Sequence, residues 1–116
     1  FSSWSAAPDT MLELTVDRGD SDWKGRIALI PAVIAELKFD PANAVAIVCG
    51  PPIMIKFTLI ELKKLHFADE QIITTLEAKM KCGVGKCFRC NVGDKYVCKH
   101  GPVFSFAEIS QFIEQY

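Results

Sequence analysis

Four of the five cysteines in this chain fall within "KCGVGKCFRCNVGDKYVC", residues 81–98. Cys82, Cys87, Cys90 and Cys98 are spaced C-x4-C-x2-C-x7-C. The first three match the C-x4-C-x2-C run that, with a later fourth cysteine, holds a [2Fe–2S] cluster. Two irons bridged by two sulfides need two thiolates each, and a wide first loop can curl around one side. Gly83 and Gly85 allow tight or left-handed backbone there and leave amide N–H groups free to point at sulfur. A structural zinc ion also takes four cysteines, usually from two C-x2-C pairs; here only Cys87 and Cys90 form one. Disulfides are the third alternative, disfavoured by the odd count. Spacing favours iron–sulfur over zinc and disulfides but leaves all three open. Lys79, Lys81, Lys86, Arg89, Lys95 and Lys99 surround the cluster of thiols, with Asp94 the single acid. Each base alone reads as solvated surface. Together they would stabilise added negative charge and raise a reduction potential.

The fifth cysteine, Cys49, stands in "AIVCGPPIM" at the end of an apolar run and just before a helix start. Ligands of open α/β sheets bind at such strand ends, and a helix N-terminus offers free N–H groups. Gly50 has no side chain to hold a flat ligand away. The alternative is that Cys49 is a small buried apolar residue.

The elements that must position these residues follow from patterning. "MLELTVD", residues 11–17, reads as a buried strand and residues 18–25 as a polar loop. Pro31 suits the first turn of a helix through "PAVIAELK". "AVAIVCG", residues 44–50, reads as a central parallel strand. Two prolines then open a long helix, with Ile53, Phe57, Ile60 and Leu65 sharing much of one side. "QIITTLEA", residues 71–78, is a third strand. Strand and helix alternate, which implies a parallel sheet. After residue 78 glycine, lysine and cysteine replace the apolar runs. Gly93-Asp94 offers a turn between two short strands. Ser105 and Glu108 form a capping box before an amphipathic helix through Phe106, Ile109, Phe112 and Ile113. The expected boundary lies near residue 79, giving units 1–78 and 79–116.

The chain has 116 residues, half of them apolar, and a net charge of −1. That size allows one domain with a real core, and the charge argues against a general nucleic-acid binder. No apolar run reaches the ~18 residues of a membrane span. No signal peptide is visible, and the start at Phe1 suggests a fragment or processed product. Clustered thiols in a chain with its own core suit a reducing, cytoplasmic compartment.

"LTVDRGDSDWKG", "CGPPIM", "MKCGVGKCFRC" and "KYVCKHGPVF", in that order, resemble the C-terminal part of the ferredoxin–NADP⁺ reductase superfamily. The resemblance is nearer to its small electron-transfer subunits that end in a [2Fe–2S] site: the dihydroorotate dehydrogenase electron-transfer subunit, the sulfhydrogenase gamma subunit and the corresponding subunit of anaerobic sulfite reductase. It implies that Cys82, Cys87, Cys90 and Cys98 ligate the cluster. It also implies that Cys49, Gly50 and Pro51 stand beside nicotinamide and flavin, with Cys49 in the catalytic position. Asp17, Arg18 and Gly19 match a nucleotide-domain motif without assigned contacts. The fold implied is α/β: a partial doubly wound parallel sheet, the remnant of an NAD(P)-binding domain, followed by a small [2Fe–2S] module. The function implied is transfer of electrons between NAD(P)H, FAD and other subunits of a multisubunit oxidoreductase. A zinc-stabilised interaction module is the rival.

The chain departs from that family in four ways. The flavin barrel and the glycine-rich phosphate loop are absent from the sequence, so FAD should not be held firmly and NAD(P)H binding should be weak or lost. The x7 gap before Cys98 fits the hydrogenase and sulfite-reductase group better than the dihydroorotate dehydrogenase one. His100 stands where that group has an acid, and His100 and His66 are expected on the surface. Tyr116 reads as a helix end, and Trp4 and Trp23 as packing residues.

Overall fold

The computed structural model describes residues 1–112. A single turn, α1 (Ser2–Ser5), carries the exposed Trp4 edge-on to Phe1. The expected strand at residues 11–17 shrinks to β1 (Thr15–Val16), which pairs in parallel with β2 (Arg26–Ile27) as a separate two-stranded ladder. Met11 and Leu14 are exposed, so this strand is not buried. It has one short neighbour and no sheet to enter. Trp23 does pack as a loop residue: its indole N–H donates to the Arg26 carbonyl at 3.0 Å, and its ring lies against Gly19 and Gly25.

Helix α2 (Ile30–Leu37) has Pro31 in its first turn, as expected, and ends on Lys38 in the left-handed region (φ 47°, ψ 56°). Strand β3 (Ala46–Val48) leads through Cys49, Gly50 and Pro51 into α3 (Pro52–Lys64). A 3₁₀ turn (Asp69–Gln71) opens β4 (Ile72–Thr75), which pairs in parallel with β3. Gln71 ties this crossover together. Its side-chain amide donates to the carbonyls of Pro41 at 2.7 Å and Ala44 at 3.0 Å, and its oxygen accepts from the Ala68 amide.

The face that α3 buries differs from the expected one. Ile55, Thr58, Leu59 and Leu62 are buried, whereas Ile53, Phe57 and Ile60 are exposed. The helix is apolar on most sides, so its periodicity cannot choose a face. The chosen face packs with Val48, Phe67 and Ile72 as the first core cluster. Burying a side chain such as Ile55 contributes about 1.5–3 kcal/mol.

Residues 91–96 form the expected hairpin: β5 (Asn91–Val92) and β6 (Lys95–Tyr96) pair antiparallel around Gly93-Asp94, with Gly93 at φ 57°. One helical turn, α4 (Val97–His100), follows. Strand β7 (Val103–Ser105) then adds antiparallel to β4, a pairing that the sequence pattern did not reveal. The short helix α5 (Phe106–Ile109) starts at Ser105, whose amide and hydroxyl donate to the Glu108 carboxylate at 2.8 and 2.9 Å. The expected positions Ile113 and Tyr116 lie outside the described residues. Leu76, Cys90, Val92, Val97, Phe104 and Ile109 make the second core cluster, and Phe106 packs against both clusters.

The result is a mixed α/β fold with three small sheets. The extended parallel sheet expected from the alternation is represented by β3–β4 with β7 at its side. Ile47 is 76% exposed, so the sheet face opposite α3 is bare at β3. No helix among the described residues is long and apolar enough to cross a membrane.

Candidate metal centre

The loop from Cys82 to Cys90 is shaped by backbone that most residues avoid. Gly83 (φ 69°) and Gly85 (φ 73°) sit in the left-handed region, as the sequence led us to expect. Phe88 does so too, at φ 59°, which costs an L-residue roughly 1–2 kcal/mol. These turns swing successive amides toward sulfur. The N–H groups of Val84, Lys86 and Cys87 donate to Cys82 Sγ at 3.5, 3.2 and 3.4 Å. The Gly85 N–H donates to Cys98 Sγ at 3.2 Å.

The thiols themselves come together in pairs. Cys87 lies close enough to Cys82, and Cys90 to Cys98, to perturb its neighbour's thiol. Cys90 is anchored in the second core cluster, and its carbonyl accepts from the Val97 amide at 3.0 Å, which sets α4 and therefore Cys98 beside it. Cys82, Cys87 and Cys98 are half-buried, and all four are free thiols.

The electrostatics follow from those hydrogen bonds. The Val84 amide, then that of Lys86, then the Cys87 thiol and amide, lower the Cys82 pKa from 9.0 to about 6. Donors favour the thiolate, the form that binds metal. The Cys98 thiol is pushed up, first by its hydrogen bond with Cys90 and then by burial, against the opposing pull of the Gly85 amide.

Four thiols with backbone N–H donors on two of them are a donor set of the chemistry that an iron–sulfur cluster takes. A binuclear cluster takes two thiolates at each of two irons, with N–H donors on the sulfurs tuning it. Three amides aimed at Cys82 and one at Cys98 are donors of that kind. Among the described residues no three His, Cys, Asp or Glu side chains are grouped so as to hold a single ion.

Cys49, Gly50 and Pro51 lie apart from this centre, where β3 passes into α3. Cys49 is exposed, so it is not the small core residue that was the alternative. It borders an open apolar groove of about 460 Å³ whose lining includes Val48, Met54, Thr58 and Phe67. A side chain at position 50 would meet Met54 Cε at 2.2 Å. Thr58 lines the groove with a buried hydroxyl that has no hydrogen-bond partner among the described residues. Asp17, Arg18 and Gly19 belong to the β1–β2 loop region; Arg18 and Gly19 line a second, smaller recess with Trp23. His66 and His100 are exposed, as expected. His100 is nevertheless ordered by its neighbours: Nδ1 accepts from the Tyr96 amide at 2.9 Å and the ring stacks on Tyr96 at 5.6 Å. Spacing did not reveal that role.

Comparison with known proteins bears out the resemblance read from the motifs. Residues 77–110 match the iron–sulfur cluster binding domain of dihydroorotate dehydrogenase B. Sulfhydrogenase 1 subunit gamma of Pyrococcus furiosus is 42% identical over 94 residues, covering 78% of this chain and 32% of the relative. The probable dihydroorotate dehydrogenase B (NAD(+)) electron transfer subunit of Methanocaldococcus jannaschii is 36% identical over 108 residues, covering 90% of this chain and 39% of the relative. The chain thus spans between about a third and two-fifths of these relatives. The solved NADH-dependent reduced ferredoxin–NADP oxidoreductase, described for flavin-based electron bifurcation, aligns over 92% of this chain and 40% of its own. Its TM-score is 0.60 at 24% identity, a likeness of fold.

Proposed function

We propose, from a chain similar to these electron-transfer subunits, that it carries the one-electron end of an NAD(P)H- and flavin-linked oxidoreductase. The observation that carries this reading is the loop of four free cysteines in which four backbone N–H groups are aimed at the sulfurs of Cys82 and Cys98. That loop lies inside the stretch that matches an iron–sulfur binding domain.

In this reading Cys82, Cys87, Cys90 and Cys98 would hold a [2Fe–2S] cluster. When bound, the cluster supplies storage of a single electron. The chain's residues do the rest. The amides of Val84, Gly85, Lys86 and Cys87 stabilise negative charge on sulfur. The second core cluster fixes Cys90, and α4 fixes Cys98, so these ligands keep their spacing. Cys49, Gly50 and Pro51 would face nicotinamide and flavin in the whole protein, with Cys49 nearest the reacting atoms. Gly50 would let a flat ring approach, and the prolines would hold the turn rigid. The unit 1–78 would then be the nucleotide-domain part and 79–116 the cluster module. The partners would be the other subunits of the oxidoreductase.

The test is redox cycling of the chain loaded anaerobically with iron and sulfide. Its visible absorption should bleach on adding one electron equivalent and return with a one-electron oxidant. Serine at any of the four ligand positions should abolish or reshape the reduced-state electron paramagnetic resonance signal. Cys49→Ser should leave that signal as it is. Absence of any reversible one-electron step in a loaded sample would refute the reading.

A further inference from the structure

The stretch around the thiols is charged very differently from the rest of the chain. Six of the 13 basic residues but only one of the 14 acidic ones fall within residues 79–100. That gives the stretch a charge of +5 on a chain of −1. Its one acid, Asp94, lies 3.9 Å from Lys95 and takes up that base. Lys79, Lys81, Lys86, Arg89 and Lys99 are exposed, and none makes an ion pair among the described residues. Two ferric ions, two sulfides and four thiolates would carry two negative charges, too few to neutralise the stretch.

Apolar side chains stand among these bases. Met80, Val84 and Phe88 are 51%, 62% and 63% exposed. Phe88 is turned outward by left-handed backbone between two of the cysteines, with its ring edge-on to Tyr96 at 5.3 Å. The Lys99 side chain runs alongside Gly85, so α4 brings a base to the same loop. Exposed apolar side chains interspersed with charged ones are what a protein interface presents. Strain held at an exposed aromatic beside a site is commonly functional.

We propose that Val84 and Phe88, together with the exposed Lys81, Lys86, Arg89 and Lys99, form the docking surface for an acidic protein that exchanges single electrons with the cluster. This rests on the electron-transfer reading. One electron would pass between the cluster and a flavin or iron–sulfur group of the partner, with no bond made and no proton moved. The chain's positive stretch and its negative remainder would also orient the approach.

The experiment is equilibrium binding by calorimetry, using the iron–sulfur-loaded chain and two probes: a strongly acidic ferredoxin and the basic protein cytochrome c. The ferredoxin should bind, and its Kd should rise about tenfold or more between low and ~0.3 M salt. Cytochrome c should not bind. The double variant Lys81→Glu/Arg89→Glu should weaken ferredoxin binding about tenfold or more at low salt. Phe88→Ala should weaken it at every salt concentration. Iron content, sulfide content and the visible spectrum, measured on each sample, check that the centre is intact. Equal binding of both probes, binding of neither, or indifference to the double variant in a loaded sample would overturn the docking surface. Failure to take up iron and sulfide would instead strike the parent reading.

Discussion

Thr58→Val should make this chain more stable. The Thr58 hydroxyl is buried in α3, beside the groove, with no hydrogen-bond partner among the described residues. Leaving such a group unpaired costs about 1–3 kcal/mol, and valine keeps the shape while removing the hydroxyl. Thr and Val also have similar helix propensities, so the backbone contributes little to the difference. The expected gain is therefore about 1–2 kcal/mol, which for a domain of this size raises Tm by roughly 4 °C per kcal/mol. Thr58→Ala is the control. Relative to valine it lacks two buried methyls, together worth about 1.6 kcal/mol, and leaves a small void, partly offset by alanine's better helix propensity, so it should fall about 1–2 kcal/mol below valine. Urea unfolding of the three proteins measures both differences, provided the m-values agree. If valine destabilises the chain by about 1 kcal/mol or more, the hydroxyl has a partner and the groove is polar where it is described as apolar.

Three further outcomes are expected. Lys38→Gly at the end of α2 should stabilise by about 0.5–1 kcal/mol, because φ 47° carries a Cβ penalty that glycine lacks; thermal unfolding reads it. Gly93→Ala should cost about 1–2 kcal/mol from φ 57° alone, and more because its Cβ would come within 2.3 Å of the Phe112 ring; a lowered Tm and slower iron uptake would follow. In the metal-free chain Cys82 should be the first thiol alkylated by iodoacetamide at pH 7, with its rate rising through a midpoint near pH 6. Its folded pKa, about 6, lies below the ordinary 9.0, so the stability that it contributes is complete above pH 9 and is lost as pH falls through 6.

The local elements were legible because their signals are local. Prolines at 31 and 52 mark helix starts, Gly93-Asp94 marks a hairpin, and Ser105 with Glu108 marks a cap; each rests on a few adjacent residues. The cysteine stretch that matches an iron–sulfur binding domain was legible for the same reason, since three of its thiols and its glycines occupy one short loop. What patterning could not supply was long-range. Strand β7 joins β4 across the whole cysteine stretch, and nothing within three residues announces that partner. The face of α3 was misread because Ile53, Ile55, Phe57, Leu59, Ile60 and Leu62 give apolar choices in most directions, and packing on the sheet made the selection. Residues 11–14 have strand character but no strand beside them, so they stay exposed. The stacking of His100 on Tyr96 depends on α4 following the hairpin at once, a juxtaposition that spacing does not encode.

The central claim is that Cys82, Cys87, Cys90 and Cys98 hold two irons rather than one zinc. The most direct measurement is iron, zinc and acid-labile sulfide counted per chain on one anaerobically prepared sample. The account predicts two irons and two sulfides with negligible zinc, in a red-brown protein that bleaches with dithionite. One zinc per chain in a colourless protein that refuses iron and sulfide on reconstitution would contradict it.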